Sequence, residues 1–320
     1  MPNTLSSHHS PQAEKVAVTP AAAHPRQLLT TAELKALSQQ SNALGLRQLI
    51  GHFGILGISG YWWLAPWPSI GLRLPALVVY GFSLAATFAI VHECVHRTAF
   101  ASNRLNDGVG WMAGCLSFYN STFFRKYHKW HHRYTRIPGK DPELTDLQPT
   151  NWWKYALQIS GLPWWRDKVL GLGKLALGQA QNYPFLSPGA HREVIRSARL
   201  HLGVYGIALI LPALLGHPAF FLWSWLLPMT IGQPILRFIL LAEHTLCTFD
   251  DDPLNNTRTT LTLWPIRFLM WNMPFHAEHH LYVSIPFHQL PEAHKRLKAH
   301  LVHVDSGYVR VNRDIIETLQ

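Results

Sequence analysis

Nine of the chain's twenty histidines fall in four short stretches: His92 and His96 in "HECVH", His128, His131 and His132 in "HKWHH", His244 in "AEHT", and His276, His279 and His280 in "HAEHH". Positions i, i+3 and i+4 of a helix share one face, so each box turns its imidazoles towards one point. That pattern predicts a metal site. Imidazole suits iron, copper, zinc and nickel alike, so the residue type alone does not choose the metal. "HECVH" has two readings. As His-Glu-x-x-His it is a metalloprotease signature, with two zinc ligands and Glu93 as general base; as His-x-x-x-His it is a pair of imidazoles whose partners come from elsewhere. A zinc protease would leave "HKWHH" and "HAEHH" without a purpose. The third ligand of an intramembrane protease would be an aspartate in a later span, and Asp250, Asp251 and Asp252 lie past the last apolar block. Eight or nine imidazoles exceed what one ion accepts, so two ions sharing them is the simple solution. The isolated histidines, His8, His9, His24, His52, His191, His201, His217, His288, His294, His300 and His303, are read as structural or surface groups.

The elements that must position these boxes are apolar. The chain of 320 residues is 48% hydrophobic and only 14% charged, where about 25% charged is usual for soluble domains. Blocks at 49–67, 72–93, 200–216 and 219–244 each approach the roughly 20 residues needed to cross a bilayer as a helix. The expectation is an all-α, multi-pass membrane protein with four transmembrane helices in two hairpins, further helices lying in the interface, and a cytoplasmic histidine-rich cap. Residues 1–45 are expected as a disordered or loosely ordered N-terminal segment, 46–292 as the membrane domain and 293–320 as a C-terminal tail. The 97–199 stretch is rich in Lys and Arg, while the connectors within the hairpins carry none, which places that stretch and both termini in the cytoplasm. The net charge of +10 then reflects topology and anionic headgroups, not a nucleic-acid footprint. Cys94, Cys115 and Cys247 are too few for a disulfide framework and are expected as reduced thiols. The paired tryptophans of 150–190 fit interfacial helices, as an aromatic belt or as the wall of a substrate entrance. A transporter or metal sensor is the non-enzymatic alternative, but transport sites sit near the bilayer midplane, and these boxes lie at the ends of the spans.

"VHECVHRTAFASNRLNDGVGW" (91–111), "FRKYHKWHHRYTRIPGKDPEL" (124–144) and "NMPFHAEHHLYVSIPFHQLP" (272–291) resemble, in order and spacing, the histidine boxes of the membrane-bound fatty acid desaturase and hydroxylase superfamily, and most of all those of acyl-lipid desaturases. The resemblance runs from about residue 85 to 292. It implies two iron ions held by His92, His96, His128, His131, His132, His276, His279 and His280, with His244 as a ninth ligand. It further implies an enzyme that uses O2 to desaturate a lipid acyl chain, the same scaffold also serving as hydroxylase or ketolase of lipids, carotenoids or other hydrophobic substrates. No "HPGG" haem motif or cysteine-rich iron–sulfur segment is present, so electrons are expected from a separate donor such as ferredoxin or cytochrome b5. A ligating imidazole normally gives its other N–H to a carboxylate or carbonyl, which fixes its tautomer; Glu93, Asp107, Asp141, Glu243 and Glu278 are the carboxylates expected in that role.

Overall fold

The computed structural model describes residues 27–66, 69–145 and 149–320. His8, His9 and His24 lie outside the described residues. After a short helix, α1 (Thr31–Leu37), come α2 (Asn42–Leu64), α3 (Ile70–Ala85) and α4 (Thr87–His96). Then follow α5 (Asn103–Ser117) and α6 (Ser121–Tyr134), and α7 (Trp152–Ile159) and α8 (Leu162–Ala176). The long α9 (Pro188–Leu214) and α10 (Leu227–Leu241) precede α11 (Trp264–Leu269), α12 (His276–Leu281), α13 (Leu290–Leu297) and α14 (Tyr308–Glu317). Among the described residues the sheet content is one parallel pair, β1 (Arg258–Leu261) and β2 (His303–Ser306), with Arg258 opposite His303. The all-helical expectation is met.

Three helical stretches are long and apolar enough to cross a membrane among the described residues: Ile70–His96, Pro188–Leu214 and Leu222–Leu241. The first runs α3 into α4. The fourth expected span, α2, has 23 residues, about 34 Å at the helical rise, but Gly, Gln, Arg and Trp dilute its hydropathy. Its outer face nevertheless presents Ile50, Ile58, Tyr61 and Leu64.

Local sequence sets the ends of the elements that carry the boxes. Ser102 and Asn120 cap α5 and α6 by accepting from Leu105 N and Phe123 N, satisfying N–H groups that a helix start leaves open. The Asn120 side-chain carbonyl is thus used as a cap. Arg97 (φ 61°) and Phe118 (φ 60°) end α4 and α5 in the left-handed region, so the chain reverses directly after His96. At the other end of the spans, Arg73 Nε donates to Trp63 O and covers a carbonyl at the α2 terminus.

From Thr87 to Val95 every residue of α4 is buried, as expected of the helix at the centre of a bundle. Helices α3 and α10 approach backbone to backbone: a Cβ on Gly81 would stand 2.4 Å from Pro228 O, and one on Gly232 would stand 1.9 Å from Gly81 O. Small residues permit this contact, as in membrane helix pairs generally.

The first described residues and the C-terminal helix join the same body. Leu29 and Leu37 pack with Phe275, Leu281 and Leu290, and Leu29 N donates to the Tyr282 hydroxyl. Val311 and Ile315 of α14 belong to the main core. The boundaries expected at 45 and 292 therefore fall inside α2 and α13. Three free cysteines, Cys94, Cys115 and Cys247, agree with the expectation of reduced thiols.

Candidate metal centre

The eight box histidines and His244 meet in one place. Helix α4 brings His92 and His96, α6 brings His128, His131 and His132, α12 brings His276, His279 and His280, and the turn after α10 brings His244. The contacts among them fall into two kinds. Nε2 faces Nε2 between His128 and His132 (3.0 Å), His96 and His279 (3.2 Å), His244 and His276 (3.2 Å), and His276 and His280 (3.1 Å). Two neighbouring ligands about 2.1 Å from a shared ion lie roughly 3.0 to 3.4 Å apart, depending on geometry. His132 and His280, by contrast, stack ring on ring at 4.1 Å and 24°, which directs their lone pairs away from each other. The nitrogens of His92, His96, His128, His132 and His279 converge within 4.8 Å, as do those of His131, His244 and His280. His276 adjoins the second set through its Nε2 contacts. The imidazoles thus divide into a group of five and a group of four.

The donor set fits metal ions. Both ring nitrogens of His92, Nδ1 of His128 and Nε2 of His131 are buried without hydrogen-bond partners, a costly state for polar atoms unless something else satisfies them. Burial, then neighbouring imidazoles, hold His128 and His132 well below the usual histidine range, and burial pushes His244 down to about 3. These rings are neutral at pH 7, the form that binds metal. His131 differs: burial opposes its charge, but the carboxylates of Glu143 and Asp141 outweigh burial and raise it.

The outer contacts differ from ring to ring. Asp141 Oδ1 lies 2.9 Å from His131 Nδ1, while its Oδ2 accepts from Arg136 N at 2.8 Å. His244 Nδ1 faces the Asn256 carbonyl at 3.1 Å, and His280 Nδ1 faces Thr135 Oγ1 at 3.2 Å. Each contact leaves Nε2 turned inward. Glu243 Oε2 is 3.4 Å from His276 Nε2, and its other oxygen has no hydrogen-bond partner. Burial raises this carboxyl well above its ordinary range.

The remaining carboxylates stand elsewhere. Glu93 is buried, with Oε2 accepting from Thr98 Oγ1 (2.9 Å) and Phe287 N (3.3 Å), and its Oε1 is 3.7 Å from His92 Nδ1. It does not line the cleft described below, which leaves it badly placed as a protease base. Glu278 is taken up by Thr259 Oγ1 and His294 Nδ1. Asp107 pairs with Arg97 and Arg125 at the surface, not with a box imidazole.

Several residues of the site carry no motif of their own. Glu143 stands 3.7 Å from His128 Nδ1 and 3.6 Å from His131 Nε2, and so spans the two groups. Its place two residues after Asp141 was the available signal. Thr135, Asn256 and His294 act through contacts 121 to 145 positions away or through a single carboxylate, which no local pattern announces. His52 is the structural histidine expected, buried between the Ser83 carbonyl (2.8 Å) and the Trp271 indole (3.3 Å).

A cleft of about 790 Å³ opens beside the imidazoles, walled by His92, His128, His276 and by aromatic side chains including Phe88, Phe124 and Trp164. The tryptophan pairs divide: Trp152 and Trp153 are exposed, whereas Trp164 is buried against the cleft.

Comparison with known proteins agrees with this site. The fatty acid desaturase family matches residues 62–311. The sn-1 oleoyl-lipid 12-desaturase of Picosynechococcus sp. is 27% identical, over 86% of this chain and 80% of its own. The dihydrorhizobitoxine desaturase of Bradyrhizobium elkanii is also 27% identical, over 78% of this chain and 71% of its own. A Delta(5) fatty acid desaturase of Caenorhabditis elegans is 22% identical, over 68% and 55% respectively. With a histidine cluster able to bind metal and three helices of membrane-crossing length and composition, the chain belongs to the fatty acid desaturase family, as a membrane oxidoreductase.

Proposed function

We propose that this chain is a membrane di-iron oxygenase that uses O2 and electrons from a separate carrier to desaturate a lipid acyl chain. The observation that carries the reading is the division of nine imidazoles into two adjacent sets, with nitrogens facing nitrogens within each set, against an aromatic cleft. His92, His96, His128, His132 and His279 would hold one iron; His131, His244, His276 and His280 would hold the other. Iron bound there would supply the redox chemistry needed to reduce O2 and oxidise an unactivated C–H bond.

The protein's own groups do the rest. Asp141 and the Asn256 carbonyl fix the tautomers of His131 and His244 so that Nε2 is the free lone pair. Glu243, its carboxyl raised by burial, stands at the cleft wall beside His276 as a group suited to hold a proton. Phe88, Phe124 and Trp164 exclude water from an apolar chain and present flat surfaces to it. The relatives named as oleoyl-lipid desaturases support an acyl substrate, although one relative's name gives a different one, dihydrorhizobitoxine. For topology, α2 supplies the fourth crossing, and the histidine cap and both termini face the cytoplasm, where ferredoxin or cytochrome b5 would deliver electrons. Reporter fusions at Lys140 should read cytoplasmic; an opposite signal there would overturn this arrangement.

The test is product analysis. Iron-loaded protein in detergent, supplied with an oleoyl lipid, reduced ferredoxin and O2, should yield a new carbon–carbon double bond detectable by mass spectrometry. A hydroxylated chain as the sole product would move the enzyme to the hydroxylase branch.

A further inference from the structure

One charge in the cleft has no role in the chemistry described so far. Arg237 lies on α10, within a stretch of membrane-crossing length and composition, and its side chain lines the cleft. One guanidinium nitrogen donates to Tyr119 Oη at 3.3 Å, and the guanidinium carbon stands 5.8 Å from the centre of the Trp164 ring. Its Nε is buried with no partner. Among the described residues no carboxylate lies within 4.0 Å of it; Glu243, six residues further on, feels its charge from beyond that distance and directs Oε2 at His276. An ionised side chain within a membrane segment is costly, and such residues generally face the interior or a cavity and mark substrate paths.

A second cation and a hydroxyl stand beside it. Lys168 Nζ lies over the Tyr119 ring at 3.7 Å, also in the cleft wall and also without a carboxylate partner among the described residues. Tyr119 Oη accepts from both Trp164 Nε1 (3.1 Å) and Arg237, so its own proton remains to be donated. Donors gather around one aromatic ring, and the Tyr119 hydroxyl oxygen is the acceptor they share. An apolar chain entering the cleft expels water from these groups. A neutral substrate would then leave a desolvated cation unpaired, whereas an oxyanion would satisfy the guanidinium in its forked geometry.

We propose that Arg237, with Lys168 and the Tyr119 hydroxyl, forms a subsite for the terminal oxyanion of the substrate, so that this enzyme takes an acidic amphiphile whose charged end enters the cleft. That end is a carboxylate or a phosphate. The inference rests on the cleft being the substrate site. Arg237 precedes His244 by seven residues, the first four of them on α10, so an anchored end sets the position of attack by counting from the acidic terminus.

The test measures binding to the iron-loaded protein in neutral detergent, using oleate, 1-oleoyl lysophosphatidate and methyl oleate. At least one acidic probe should bind about 10- to 100-fold more tightly than the methyl ester, the range expected for charge-assisted hydrogen bonds; which of them does so tells carboxylate from phosphate. Arg237→Gln should remove that preference, so that the acidic probe and the methyl ester bind alike, and Arg237→Lys should keep part of it. Tyr119→Phe, which retains the ring, should lower the preference by a smaller factor and decides the matter if Arg237→Gln fails to fold. Equal affinity for all three probes in the unmodified protein, or a preference that survives Arg237→Gln, overturns the subsite. A clear preference with no alkene formed under O2 and electrons would instead overturn the desaturase reading and leave the subsite standing.

Discussion

At the residue scale, the account depends on how single imidazoles are oriented. Asp141 grips His131 through one oxygen and the backbone of Arg136 and Glu143 through both, so it fixes a ring that would otherwise rotate. Asp141→Asn should weaken iron binding about 10- to 100-fold, as expected when a ligand loses its outer partner, with the loss confined to one of two irons; unchanged occupancy on iron titration would show that the backbone contacts are its main role. His244 is the more exacting case because it stands outside any box. Its Nδ1 on the Asn256 carbonyl and Nε2 on His276 are what a ligand should show. His244→Ala should lower iron towards one per chain and stop product formation while the protein stays monodisperse. Two irons and near-normal turnover in that variant would make His244 a structural histidine. The sequence made the eight box histidines visible because i, i+3 and i+4 is a local pattern. Arg237 and Glu143 were not visible, since a lone charge gains meaning only from what tertiary packing places opposite it.

At the scale of elements, the boxes are held by helices whose ends are locally specified and whose approach is set by small residues. Gly232 has the carbonyl of Gly81 in the space a side chain would need. Gly232→Val should force α3 and α10 apart, and because α3 continues into α4, it should disturb His92 and His96 at a distance. We expect loss of thermal stability by several degrees together with reduced iron content, read by melting in detergent and metal analysis; a variant of normal stability and full iron content would show that α4 is held by α5 and α6 alone. Helix existence was legible from apolar runs and caps, as at Ser102 and Asn120. The order of packing was not, since Gly81 and Gly232 lie 151 positions apart in sequence and nothing local pairs them. The short β1–β2 pair also escaped notice: strands of four residues fall below what alternation can signal.

At the scale of the whole molecule, α1 and α14 back the helices that carry the boxes: α1 packs on residues flanking the third box, and α14 on the main core. Length and composition announced a membrane protein, but α2 shows the limit of that reading, since its Gly and Trp residues dilute the hydropathy that marks the other spans. The central claim, that nine imidazoles in sets of five and four hold two irons, is tested most directly by metal analysis of the purified full-length chain with Mössbauer spectroscopy of the same sample. The account predicts about two irons per chain, with two distinguishable environments because one set has a ligand more than the other. A single metal per chain, or zinc in place of iron, would contradict it.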